Sequence, residues 1–129
     1  MTLPVPRPHP DPDAYLAPIR LYTMDAWVED ESALVDHGGL RTLLYDAATS
    51  GGARVLADTF HVFPNGAVTG ALLLAQSHLS IHTWPERLMA NVDLLSCGPV
   101  DGERVLAVVR DGLGAERADI ARVLRGVSP

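Results

Sequence analysis

Residues 76–86 read Gln76-Ser77-His78-Leu79-Ser80-Ile81-His82-Thr83-Trp84-Pro85-Glu86. From Leu79 to Trp84 the pattern is that of a strand, and Pro85 closes it. Strict alternation puts Ser77 and His82 on opposite faces, so Ser77 is expected in a turn or bulge before the strand proper. The stretch gathers a serine, two histidines, a tryptophan and a carboxylate. Its counterpart is Cys97, the single cysteine, in Val92-Asp93-Leu94-Leu95-Ser96-Cys97-Gly98. Just upstream, Phe63-Pro64-Asn65-Gly66-Ala67-Val68-Thr69-Gly70 adds an aromatic ring, a turn and a hydroxyl.

The segments around this stretch read as scaffold. Val55–Phe63 and Val68–Ala75 are expected strands, joined by a hairpin at Pro64-Asn65-Gly66. Asn91–Ser96 is a further strand, closed by Gly98-Pro99. Ile19–Val28 is the first strand, with Tyr22, Met24, Ala26 and Val28 on one parity. A helix follows Glu29–Glu31, with Asp30 as its expected cap. Leu34, Leu40, Leu43, Leu44 and Ala47 recur at helical spacing, Gly38-Gly39 kinks or splits the helix, and Ser50-Gly51-Gly52 ends it. Asp101–Leu113 is a second helix, and Ala118–Leu124 a last short strand or helix, here read as a strand. The order β-α-β-β-β-β-α-β predicts an α+β fold, a two-layer sandwich in which two helices pack on one face of an antiparallel sheet. Residues 1–18 hold most of the ten prolines and read as a mobile tail, leaving 19–129 as a single domain.

Composition narrows the function. The net charge of −6 argues against a nucleic-acid or anionic-membrane surface. No apolar run reaches the roughly 18 residues of a membrane span. The N-terminus lacks the basic-then-apolar pattern of a secretory signal, and one cysteine suits a reducing cytosol, so a cytoplasmic protein is expected. All ten basic residues are arginine. A chain without lysine cannot, acting alone, hold pyridoxal phosphate or form a lysine Schiff base. Any amine–carbonyl chemistry needs its carbonyl from elsewhere in the protein or from the substrate.

The residues themselves leave several chemistries open. His78 and His82 would share a helix face, but on a strand they stand roughly 13 Å apart, too far for one metal ion. No metal site is therefore expected. The residues of a hydrolytic serine or cysteine triad are present, but the G-x-S-x-G pattern is not. Spacing alone favours a small binding domain, with Thr69 an ordinary strand residue, His82 a core histidine and Cys97 a small buried side chain.

The motif adds to this reading. A serine opening S-H-x-x-I-H-T-W/Y-P-E, followed by V-D and S-C-G, resembles the prokaryotic S-adenosylmethionine decarboxylase proenzymes. The Phe63–Gly70 turn resembles theirs too, and the likeness runs over roughly residues 20 to 126. It implies a self-made carbonyl. Ser77 would attack the Gln76 carbonyl, the chain would break between Gln76 and Ser77, and Ser77 would become a pyruvoyl group that takes the substrate amine as a Schiff base. The resemblance implies that Thr69 supports processing, His82 is the processing base and Cys97 the proton donor. It implies that Phe63 and Trp84 sandwich adenine, that Glu86 grips the ribose, and that cleaved protomers form a homodimer. The implied activity converts S-adenosylmethionine to the aminopropyl donor for spermidine. Decarboxylation of ornithine or arginine on the same scaffold, and an uncleaved binding or regulatory relative, stay open. Gln76 stands where the family usually has glutamate, and Leu88-Met89-Ala90-Asn91 where it has G-Y-A-A.

Overall fold

The computed structural model describes residues 18–126; the expected tail lies, apart from its last residue, outside them. Strand β1 spans Ile19–Trp27 and is followed by a short helix α1 (Ser32–Val35) and by α2 (His37–Ser50). Strands β2 (Val55–Val62), β3 (Val68–Leu74), β4 (Ser77–Trp84) and β5 (Met89–Ser96) run consecutively, then α3 (Gly102–Leu113) and β6 (Arg117–Arg125). The six strands form one sheet in the order β2-β3-β4-β5-β1-β6, antiparallel throughout. The two main helices cover one face, as the pattern of elements predicts.

Alternation builds the two layers. Tyr22, Met24 and Ala26 of β1, Leu79 and Ile81 of β4, and Val92 and Leu94 of β5 are buried together with Leu40, Leu44 and Ala47 of α2 and Val105, Leu106 and Val109 of α3. Helices α2 and α3 approach closely at Gly112, where a Cβ would meet Leu43 Cδ1 at 2.2 Å. Asp101 caps α3 by accepting from the Arg104 N–H, and Gly114 ends it in the left-handed conformation. The opposite parity of the central strands points away from the helices. There Leu73 is 52% exposed and Trp84 40%.

Some expected boundaries move. The helical segment splits at Asp36, not at the glycine pair, because the Asp36 carboxylate accepts from Gly39 N and starts a new helix. The cap of α1 is Glu31; Asp30 sits one residue earlier and binds the Ser32 N–H and hydroxyl. Strand β5 begins at Met89, two residues before the expected start. A single 3-10 turn at Pro85–Arg87 and a left-handed Leu88 (φ 51°) bring Met89 straight into register with Trp84.

Candidate active site

Strand β4 carries most of the predicted side chains and distributes them between its two ends. At its start, Leu74 pairs with Ser77, so Ala75 and Gln76 alone make the hairpin turn. Ser77 is therefore the first residue of β4, not part of a turn or bulge ahead of it. The expectation fails because Gln76 takes up the whole reversal by adopting φ +64°, a left-handed backbone rare for a side chain of its size. Ser77 is 8% exposed and shares the helix-facing parity with Leu79, Ile81 and Thr83.

Cys97 follows β5 directly and meets this turn. Its Sγ stands 3.6 Å from the Gln76 carbonyl oxygen and 3.6 Å from Gln76 Oε1, so the thiol donates to the residue preceding Ser77. Burial pushes the Cys97 thiol above its ordinary pKa, which keeps the proton on sulfur at neutral pH.

The other end of β4 lies against the β2–β3 hairpin. Gly66 turns that hairpin with φ +87°, and Asn65 Oδ1 accepts from Ala67 N at 3.1 Å. Thr83 fastens the hairpin to β4, its hydroxyl accepting from Val68 N at 2.8 Å. Beside it Thr69 and His82 are cross-strand partners, with Thr69 Oγ1 and His82 Nδ1 3.0 Å apart. Phe63, Asn65, Thr69, His82, Trp84 and Glu86 line a cleft of about 520 Å³. Phe63 and Trp84 are each partly exposed there, and Asn65 Nδ2 reaches Glu86 Oε2 at 3.5 Å. The cleft thus offers two aromatic rings, an acceptor carboxylate and a hydroxyl–imidazole pair, the groups a flat, hydroxylated ligand needs.

Five predicted residues (Phe63, Thr69, His82, Trp84 and Glu86) meet in this cleft. Gln76, Ser77 and Cys97 form a second cluster. Ser77 and His82 are five positions apart on one straight strand, about 16 Å at the usual rise, and face opposite sides. Within one chain they cannot touch. Sequence reasoning missed Asn65 and Thr83 as cleft residues, and treated Asn91 only as a departure from the motif. Their roles come from register, since His82 pairs with Asn91 and Asn91 with Asp25 across three strands. Among the described residues, no three His, Cys, Asp or Glu side chains gather so as to hold a metal ion.

Known proteins share this arrangement of sequence and fold. Residues 20–126 match the family described as S-adenosylmethionine decarboxylase. The chain is 39% identical over 104 residues to the S-adenosylmethionine decarboxylase proenzyme of Methanococcus aeolicus, covering 80% of this chain and 89% of that one. It is 46% identical over 89 residues to the proenzyme of Parasynechococcus marenigrum, covering 68% and 70%. The crystal structure of the adenosylmethionine decarboxylase from Aquifex aeolicus superposes with a TM-score of 0.78 at 28% identity, covering 88% of this chain and 94% of that one. With the motif, the sheet order and these relatives in agreement, the chain belongs to the S-adenosylmethionine decarboxylase family.

Proposed function

We propose that this chain is a self-processing, pyruvoyl-dependent S-adenosylmethionine decarboxylase, a cytoplasmic enzyme supplying the aminopropyl donor for spermidine. The observation that carries the proposal is the Gln76–Ser77 junction. Gln76 holds a left-handed backbone, a conformation that costs about 1–3 kcal/mol where the fold enforces it. Its carbonyl accepts the Cys97 thiol, and the residue that follows it is a serine.

Processing then follows from the chain's own atoms. The Ser77 hydroxyl attacks the Gln76 carbonyl carbon, the C–N bond breaks, and Gln76 becomes an ester on Ser77 Oγ with the Ser77 nitrogen free. A base takes the Ser77 α-proton and the Cβ–Oγ bond breaks, leaving Gln76 as a carboxylate and residue 77 as dehydroalanine. Water replaces the nitrogen as ammonia, and a ketone remains. The β chain ends at Gln76 and the α chain starts at residue 77, within a single domain of residues 19–129. Among the polar groups of the cleft, His82 suits the base, because an imidazole nitrogen can accept a proton, and Thr69 Oγ1 orients its Nδ1. Decarboxylation needs an electron sink; a chain without lysine cannot hold pyridoxal phosphate as a Schiff base, and the Gln76–Ser77 junction fits formation of a pyruvoyl carbonyl that would serve instead.

His82 lies about 16 Å from Ser77 in the same chain, so the site is completed by a second copy. The exposed sheet face, with Leu73 uncovered on it, is the surface a homodimer would bury. Two copies packed there in opposite senses would bring the Ser77–Cys97 end of one to the Thr69–His82 cleft of the other. Phe63 and Trp84 would hold adenine between their rings, and Glu86 would accept from the ribose hydroxyls. In the joined site Cys97 keeps a proton at Sγ for return to carbon. No surface for nucleic acid or membrane enters the scheme.

The test is carbon dioxide release from carboxyl-labelled S-adenosylmethionine, beside ornithine and arginine, using cleaved protein. Release from S-adenosylmethionine alone is expected. Release from ornithine or arginine alone would overturn the substrate. A second reading, an uncleaved binding or regulatory relative, is favoured by one observation: Ser77 and His82 are apart in the single chain. Absence of cleavage in a verified dimer would establish that reading.

A further inference from the structure

Trp84 is not held by packing alone. Its indole Nε1–H donates to Asn91 Oδ1 at 2.7 Å, and Asn91 Nδ2 donates to Asp25 Oδ1 at 2.7 Å. The three residues share the open face of the sheet. Asn91 is the direct cross-strand partner of Asp25 and the diagonal neighbour of Trp84, whose own partner is Met89.

The chemistry of the relay is directional. An indole nitrogen only donates, and an ionised carboxylate only accepts. Asp25 therefore selects the Asn91 rotamer that turns the amide nitrogen towards β1, which leaves the amide oxygen facing the indole. One end of the relay fixes the other. Trp84 is 40% exposed and Arg87 Cζ lies over its ring at 5.8 Å, a contact that does not fix the ring's orientation, so the bond to Asn91 is the directional restraint on χ2.

The geometry assigns Asn91 and Asp25 as positioning residues that lock the Trp84 ring as one wall of the nucleoside cleft. The inference rests on reading that cleft as an adenine site. It concerns affinity, not bond-breaking, because neither residue lines the cleft or adjoins Ser77.

The test has two arms. In the first, Trp84 fluorescence anisotropy is measured without ligand, in Ser77→Ala protein that cannot cleave, with Trp27→Phe removing the other tryptophan. Asn91→Ala should lower the anisotropy and weaken adenosine binding about three- to tenfold, the worth of one hydrogen bond. The exchanged pair, Asn91→Asp with Asp25→Asn, should restore both, because the carboxylate at position 91 still accepts from the indole and from the amide at position 25. In the second arm, cleaved Asn91→Ala enzyme should show the same three- to tenfold rise in KM for S-adenosylmethionine, with kcat within about twofold. Unchanged anisotropy in Asn91→Ala, or failure of the exchanged pair to restore it, would overturn the relay. A loss confined to kcat would overturn its role in affinity. If the parent protein does not bind adenosine, the nucleoside reading fails, and the ligand-free anisotropy still decides whether the relay holds the ring.

Discussion

If the site is shared between copies, two inactive variants should repair each other. Ser77→Ala protein lacks the attacking hydroxyl, and His82→Ala lacks the base for elimination; neither should cleave alone. The two positions are five apart along β4, about 16 Å, against the roughly 3 Å that proton transfer requires. In a mixed dimer the intact Ser77 of the His82→Ala chain meets the intact His82 of the Ser77→Ala chain. Random pairing at equal expression makes about half of all dimers mixed, so about half of the His82→Ala chains should be cut. The Ser77→Ala chains should stay whole. Co-expression with a size tag on one chain, read on a denaturing gel without hydroxylamine, gives both fractions directly. Recovery of mixed dimers by the tag with no cleavage would refute the shared site. Cleavage of His82→Ala protein by itself would remove His82 from processing altogether.

Three further outcomes follow. Gln76→Gly in the uncleavable Ser77→Ala background should raise Tm by about 2–4 °C, since relief of the left-handed strain exceeds glycine's extra freedom when unfolded by roughly 0.5 kcal/mol; a lower Tm would show that Gln76 is not strained. Cys97→Ala should still be processed but decarboxylate poorly, and wild-type turnover should persist at neutral pH and fall as pH rises through the raised thiol pKa. The same upward shift means that any stability from the half-buried neutral thiol is complete below the unfolded pKa and lost as pH climbs through the folded one; turnover that rises at alkaline pH would contradict the assignment. Leu72→Ala, at a fully buried position of β3, should cost about 2–5 kcal/mol in urea denaturation, and a loss under about 1 kcal/mol would mean the two layers are looser than they are drawn.

The architecture was legible because alternation and turn chemistry speak plainly here. Tyr22, Met24 and Ala26 announce β1, Asn65-Gly66 the first hairpin, and the apolar spacing between Asp101 and Leu113 announces α3. The Ala75–Gln76 turn was not legible: it contains no glycine, asparagine or proline, and tertiary pairing of Leu74 with Ser77 forces Gln76 into a conformation its side chain disfavours. The cleft was half legible. Phe63, Thr69, His82, Trp84 and Glu86 were named from the motif, and the sheet brings them together. Their separation from Ser77 and Cys97 follows from strand length and parity, which the motif's compact spelling conceals. Asn91 and Asp25 lie 66 positions apart and become neighbours only through the β1–β5 register.

In the proposed mechanism the chain cuts itself and makes its own carbonyl. Intact mass under denaturing conditions on freshly purified protein tests it most directly. Two species divided between Gln76 and Ser77, with the C-terminal one lighter than a serine-started fragment by the serine-to-pyruvoyl difference, are predicted. One full-length species that stays whole on incubation would contradict the account.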